Sequence, residues 1–232
     1  MTLTVSRRKF VSSSLTGAAL LAGSSLMGKT DEPCVQTLRR GDGPFYPLQP
    51  IPSHADLTAL PGRSGRAKGQ VLYVFGKVSD VGCHPVSGAR VEIWQADRNG
   101  RYNHQEDRSS TPLDEYFGYF SAVHADAGGA YLFKTIVPAR YDVGDFKRAP
   151  HIHYKIKAEG FTQLSTELYF EDDHKYQATD PVFLSIPESK RPSLMVAKQR
   201  PEDFAGRDLV IEPGSICCQF DIVLQPGNAK NL

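Results

Sequence analysis

From Gln70 onward the apolar residues come in short runs rich in Val, Ile, Tyr and Phe, each closed by a cluster of Gly, Pro, Asp or Asn. Runs of that kind suit strands whose side chains alternate between faces, and no long 3.6-residue apolar period competes with them. Strands are expected at Gln70–Val78, Ala89–Gln95, Gly118–His124, Ala130–Ile136, His151–Ala158 and Ser165–Phe170, then at Leu209–Ile211 and Cys218–Leu224. The pattern predicts an all-β fold, an antiparallel β-sandwich with long loops and an N-terminal arm. The stretch Asp180–Gly206 has little strand character and reads as loop with room for a short helix. No internal repeat and no second domain are expected. A composition of 40% hydrophobic and 23% charged residues belongs to a globular protein and excludes disorder, collagen and a membrane bundle. With 27 Lys+Arg against 26 Asp+Glu and no basic stripe interleaved with aromatics, nucleic acid is not an expected partner.

The N-terminal segment reads as an address. Ser6-Arg7-Arg8-Lys9-Phe10-Val11 precedes an apolar stretch, Leu15–Met27, that is rich in Ala, Gly and Ser. That stretch is shorter than the roughly 20 residues a membrane span needs. Residues 1–30 are expected to be an export signal of the twin-arginine type, read by the twin-arginine translocase and then removed. The product is then a periplasmic or secreted protein with no membrane span. Residues 31–66, rich in Pro and Gly, are expected to form an ordered arm laid over the sandwich domain of residues 67–232. Cys34, Cys83, Cys217 and Cys218 suit an oxidising compartment and include no Cys-x-x-Cys pair. In a strand, Cys217 and Cys218 would face opposite sides, so at most one is expected in the core, with one disulfide to Cys34 or Cys83 left open.

Metal-ligating residue types concentrate in Gly100–His104 and Tyr141–Tyr154. On a strand, His151 and His153 point to one face while Ile152 enters the core, so two imidazoles can reach one ion. Pro150 is tolerated because it opens the strand. Tyr102 and Tyr141 each follow a Gly- or Pro-bearing segment, where a turn can aim a side chain without making it part of the core. A phenol of ordinary pKa about 10 ionises near neutrality only beside a strong Lewis acid. Two phenolates with two imidazoles form a hard, anionic set that favours Fe(III) over zinc or calcium. Each residue alone is weak evidence, since the chain has 10 tyrosines.

The combination resembles the intradiol ring-cleavage dioxygenases, the family of protocatechuate 3,4-dioxygenase and catechol 1,2-dioxygenase. The resemblance runs from about Gly43 to Leu224. It is carried by Gly43-Pro44-Phe45-Tyr46-Pro47, Pro85 through Asp97, Asn99-Gly100-Arg101-Tyr102, Tyr131 through Pro138, Pro150-His151-Ile152-His153 and Thr166-Glu167-Leu168-Tyr169-Phe170. It implies a non-haem Fe(III) held by Tyr102, Tyr141, His151 and His153. It also implies a catecholic substrate that displaces Tyr141, and ring opening by O2 between the two hydroxylated carbons to a cis,cis-muconate type diacid. Arg148 matches the family's active-site arginine, which stabilises negative charge on the substrate. Glu167 departs from the glutamine the family usually has, near the O2 and substrate side of the iron; a carboxylate there lowers the positive character of the site or shifts substrate preference. Trp94 and the segment before it read as scaffold, and His104, His124 and His174 as surface or hydrogen-bonding residues.

Two other readings compete. Gly76–Val91 also resembles extracellular transthyretin-like modules, which bind without catalysis. His151-x-His153 with Glu159 loosely imitates a cupin, although no later turn supplies a third histidine. The resemblance to the iron-bearing protocatechuate subunit, without the helical dimerisation region of the catechol branch, leaves a homo-oligomer and a partner subunit both open.

Overall fold

The computed structural model describes residues 33–204 and 211–227. The expected export signal lies outside them, as do Leu209 and Val210. In chain order the strands are β1 (Val71–Asp80), β2 (Arg90–Trp94), β3 (Phe120–His124), β4 (Ala130–Ile136), β5 (Tyr141–Val143), β6 (Phe146–Arg148), β7 (His151–Lys157), β8 (Leu164–Phe170), β9 (Met195–Val196), β10 (Ile216–Gln219) and β11 (Ile222–Leu224). Two short helices, α1 (His174–Gln177) and α2 (Pro181–Leu184), follow β8. The region read as loop over Asp180–Gly206 therefore holds α2, two 3₁₀ turns and β9. Ile211, expected in a strand, is irregular.

One sheet is built on β1, with β4 antiparallel along one edge and β10 and then β11 parallel along the other. The second sheet has the order β3-β2-β7-β8-β9, and β5 pairs with β6 as a separate hairpin. The sheets are thus mixed, where alternation alone suggested purely antiparallel ones. Apolar spacing reports which face a residue takes and carries no information about strand direction. Leu72, Val74, Phe133, Val91, Ile93, Ile152, Tyr154, Ile156 and Leu168 fill the space between the sheets. Each such buried side chain contributes on the order of 1.5–3 kcal/mol.

Cys217 and Cys218 do face opposite sides of β10, yet both are fully buried. Cys218 enters the sandwich core, while Cys217 lies under a second layer with Tyr73, Phe75, Phe204 and Ile211. Covering that outer face is what overturns the expectation that at most one would be internal. Both are free thiols, and the disulfide joins Cys34 to Cys83.

Residues 33–70 contain no regular helix or extended strand. They are stitched to both sheets: Thr37 N–H donates to Val223 O at 3.1 Å, Arg40 N–H to Ser165 O at 2.7 Å and Leu57 N–H to Lys134 O at 2.8 Å. Asp42 accepts from Lys155 Nζ and Ser165 Oγ at 2.5 Å each, and Tyr46 Oη donates to Glu92 Oε2 at 2.8 Å. Lys155, Ser165 and Glu92 all lie on the outer face of the second sheet. Lidded by this arm, that face becomes an interior.

Candidate metal centre

Strand register assembles most of the site. On β7, Ile152, Tyr154 and Ile156 point into the sandwich, which leaves His151 and His153 on the covered outer face. The neighbouring strands pair Trp94 of β2 with His153, Glu167 of β8 with His153, and Tyr169 of β8 with His151. Cross-strand partners share a face, so these five side chains meet by register alone. Trp94, read as scaffold, stacks on His153 with ring centroids 4.8 Å apart and planes 4° from parallel.

Two loops complete the set. The β5–β6 hairpin brings Tyr141 and Arg148 opposite one another. Tyr102 arrives on the loop after β2, which closes on β5 through Gly100. That glycine has φ +78°, and a Cβ there would lie 2.0 Å from Arg140 O. Only a residue without a side chain permits this approach and this backbone conformation. Tyr102 and Tyr141 are not aimed out of a turn clear of the core, as their sequence surroundings suggested. Both are 2% exposed and pack with Phe45, Trp94 and Ala96, because the arm supplies Phe45 as a wall.

The polar atoms converge closely. Tyr141 Oη lies 3.1 Å from His151 Nε2, which lies 3.1 Å from His153 Nε2. His151 Nδ1 donates to Ala149 O at 2.7 Å, which fixes the tautomer and leaves the Nε2 lone pair facing the centre. The Tyr102 ring stands edge-on to Tyr141 at 4.8 Å, and its buried hydroxyl has no hydrogen-bond partner among the described residues. Leaving such a group unsatisfied costs about 1–3 kcal/mol. Two imidazole nitrogens and two phenol oxygens thus share a small space with too few hydrogen bonds among them. That donor set fits a cation at their centre.

The electrostatics agree. Burial, with Tyr141 alongside, pushes the Tyr102 phenol far above its ordinary value. Burial also raises Tyr141, against the nearby Arg148 charge. Both phenols stay neutral unless a strong positive charge enters the site. Burial lowers His153 to about 4 and holds His151 well below its usual range, so both imidazoles are uncharged and free to ligate at neutral pH. Burial opposes ionisation of Glu167, but His151, His153 and Arg148 outweigh it and hold that carboxyl far below the usual range. With the imidazoles neutral near pH 7, Arg148 carries most of that effect.

Glu167 is itself close to the centre. Its Oε1 is 3.9 Å from His151 Nε2 and 3.8 Å from His153 Nδ1, and these three residues form a buried group able to hold a metal ion. Its carboxylate also accepts from Arg148 Nη2 at 2.9 Å, Tyr169 Oη at 3.0 Å and Arg40 Nε at 3.2 Å. Arg148 donates in addition to Tyr169 Oη at 2.7 Å, to Asp180 Oδ2 at 3.1 Å and weakly to Tyr141 Oη at 3.4 Å.

All six residues singled out from sequence, Tyr102, Tyr141, Arg148, His151, His153 and Glu167, therefore lie in one buried cluster. Sequence reasoning missed Arg40, Tyr169 and Asp180. Tyr169 was accessible to it, standing two residues from Glu167 on the same strand face. Asp180 precedes Pro181, an N-cap signature, and its carboxylate does accept from Val182 N–H and Phe183 N–H at 2.9 and 3.0 Å. Nothing local marks Arg40. Glu159, part of the cupin comparison, is exposed in a turn beyond β7 and takes no part.

A buried pair of tyrosines and a buried His-x-His on an outer sheet face, lidded by an arm, make a candidate metal site on a β-sandwich. Residues 42–226 match the family model described as Dioxygenase. The chain is 34% identical over 202 residues to the protocatechuate 3,4-dioxygenase beta chain of Burkholderia cepacia, covering 85% of this chain and 83% of that one. It is 29% identical over 178 residues to the hydroxyquinol 1,2-dioxygenase of Corynebacterium glutamicum, covering 71% of this chain and 56% of that one. Among solved structures, the dioxygenase domain of a dioxygenase carbohydrate-binding protein fusion from Streptomyces sp. SirexAA-E superposes with a TM-score of 0.60 at 25% identity, covering 83% of this chain and all of that one. The 3-chlorocatechol 1,2-dioxygenase of Rhodococcus opacus 1CP shares the fold, with a TM-score of 0.63 at 19% identity over 85% of this chain and 75% of that one. The chain belongs to the intradiol ring-cleavage dioxygenases and is an oxidoreductase of that class. This membership takes the place of the transthyretin-like and cupin alternatives.

Proposed function

We propose that the protein is a non-haem ferric enzyme that cleaves a catechol between its two hydroxylated carbons with O2, releasing a cis,cis-muconate type diacid. The observation that carries this reading is the convergence of Tyr141, His151 and His153 within 3.1 Å contacts beside the unpartnered hydroxyl of Tyr102. Tyr102, Tyr141, His151 and His153 would hold the iron. Ferric iron supplies the Lewis acidity that lets catechol bind as an anion and its ring react with O2.

The chain's own residues bind, orient and move protons. Held as a phenolate ligand, Tyr141 Oη would be a strong base, because its buried setting makes ionisation costly, and it would take a substrate proton beside Arg148. Arg148 stands ready to hold an anionic substrate oxygen. Trp94 fixes the plane of the His153 ring, and Ala149 O fixes the His151 tautomer. The arm excludes water by laying Phe45 and Gly43 against the cluster. Gly43 has φ +69°, and a Cβ at that position would come 3.1 Å from His153 Cε1, so the lid closes directly onto a ligand ring.

The test is the visible spectrum of iron-quantified protein, before and after anaerobic catechol. A broad phenolate-to-iron band that moves to longer wavelength with catechol is expected. A protein that binds iron yet stays colourless overturns the reading. Tyr102→Phe and Tyr141→Phe should each weaken or shift the resting band, since each removes one phenolate.

Two extensions belong to the same proposal. Export of the folded protein by the twin-arginine translocase to the periplasm or medium rests on Arg7-Arg8 and the apolar stretch after them. Arg7→Lys with Arg8→Lys should retain the protein in the cytoplasm, and undiminished export of that variant would refute it. Assembly as a homo-oligomer or with a partner subunit rests on the likeness to relatives named as beta and alpha chains of protocatechuate 3,4-dioxygenase. Light scattering of the purified chain tests it: a monomer that recruits no second subunit during purification from its source counts against assembly.

A further inference from the structure

We propose that Arg40, on the N-terminal arm, is a positioning residue of the active site. Its guanidinium supplies the counter-charge to Glu167 that leaves Arg148 able to hold an anionic substrate oxygen. The proposal rests on the reading that a catechol binds here as an anion.

Four charged side chains meet beside the centre, three of them buried and Arg40 partly so. Arg148, with a side chain 4% exposed, stands between two carboxylates, Glu167 at 2.9 Å and Asp180 at 3.1 Å. Those three groups alone sum to one net negative charge, at the place where a negatively charged substrate has to enter. A group of that sign repels its ligand most strongly where water is excluded. Arg40 is the fourth member. Its Nε lies 3.2 Å from Glu167 Oε2, and its Nη2 donates to Val182 O at 3.1 Å, which fixes the guanidinium plane. Two guanidiniums against two carboxylates make the cluster neutral. The Glu167 oxygens divide accordingly: Oε1 faces Arg148, and Oε2 faces Arg40 and the Tyr169 hydroxyl. Arg40, Glu167, Arg148, Gly43 and Val182 line one cavity of about 200 Å³ beside the centre, so the charge set faces space that a ligand can enter.

The side chain is not needed merely to fasten the arm. Around it the arm is held by Arg40 N–H to Ser165 O at 2.7 Å, by Thr166 Oγ1 to Leu38 O at 2.8 Å, and by Asp42 on Lys155 and Ser165 at 2.5 Å. Removing the guanidinium leaves those contacts in place and changes the charge.

The test is a double-mutant cycle on the iron-loaded full chain: wild type, Arg40→Ala, Glu167→Gln and the double variant. Each is titrated anaerobically with catechol and followed by its charge-transfer band, with KM and kcat measured alongside. Loss of a charged hydrogen bond that acts on substrate binding predicts catechol affinity weaker by on the order of 10- to 100-fold in Arg40→Ala. The resting band should be unchanged. The double variant should bind within about twofold of Glu167→Gln alone, because with no carboxylate there is nothing left for Arg40 to neutralise. Arg40→Lys, which keeps the charge, should recover most of the affinity, and Arg40→Gln serves in the same cycle if the alanine form is unstable. Wild-type affinity in Arg40→Ala overturns the proposal. So does a double variant as weak as Arg40→Ala, which would mean that the arm itself had moved. An iron-bound wild type with no resting band overturns the reading of the site, and this proposal with it, a result distinct from either failure of the cycle.

Discussion

Asp180 is fully buried, and its carboxylate accepts four hydrogen bonds. Two come from Arg148 Nε at 3.1 Å and Ala149 N–H at 2.8 Å, at the entry to the histidine strand; two cap α2, from Val182 N–H at 2.9 Å and Phe183 N–H at 3.0 Å. One side chain thereby ties the helix after β8 to the arginine of the site. Asp180→Ala removes a cap, which costs about 1 kcal/mol. It also breaks a buried ion pair, for which roughly 3–5 kcal/mol is the usual loss. Arg148 keeps Glu167 and Tyr169, so the lower end of that range applies and the total is about 4 kcal/mol. For a domain of this size that corresponds to a fall of roughly 8–16 °C in midpoint temperature. Asp180→Asn retains an acceptor for the cap and should lose about 3 kcal/mol. The assay is urea and thermal unfolding of the metal-free protein, which removes any contribution from metal affinity. An Asp180→Ala midpoint that corresponds to less than 1 kcal/mol would refute the view that this carboxylate joins helix and site.

Other outcomes follow from the same geometry. In metal-free protein His153 is held near 4 by burial, against about 6.5 in the unfolded chain. Between those values only the unfolded state binds the proton, so His153 alone should lower stability by roughly 3 kcal/mol as pH drops from 6.5 to 4, and His151, also depressed by burial, adds to the fall. Glu167, depressed in the fold, adds a loss that begins below about 4.5; urea midpoints in chelator that stay flat from pH 7 to 4.5 would exclude the histidine part. The Cys34–Cys83 disulfide closes a loop across a separation of 49 residues. Its removal by Cys34→Ser with Cys83→Ser should cost about 2–4 kcal/mol, while Cys217 and Cys218 should react with thiol reagents only after unfolding; rapid labelling of the native protein would contradict their burial. Gly43→Ala should loosen iron retention, measured as faster loss to a chelator, because the added methyl meets the His153 ring in a backbone conformation that alanine resists; an unchanged off-rate would show that the arm can yield without moving the ring.

Much of this protein was legible in one dimension. Periodicity marked β1, β2, β4, β7 and β8 to within a residue or two, because alternation between a packed and a covered face leaves a direct trace in residue order. His151-x-His153 was visible for the same reason: a period of two fixes both rings on one side whatever the rest of the chain does. Arg148 could be nominated only through family resemblance, and Tyr102 and Tyr141 rested on turn positions that resemble those of many other residues until that resemblance was added. Strand direction was not encoded in that pattern, nor was the cover over Cys217, nor the partner of Cys34. The meeting of Arg40 with Glu167 and of Trp94 with His153 was equally invisible, because it depends on which strands are neighbours and on where an irregular arm comes to rest. Sequence determines what each residue can do and which way a strand turns it. Tertiary structure alone decided which charges share a cavity, because burial and distance, which set their interaction energies, exist only between segments far apart in the chain.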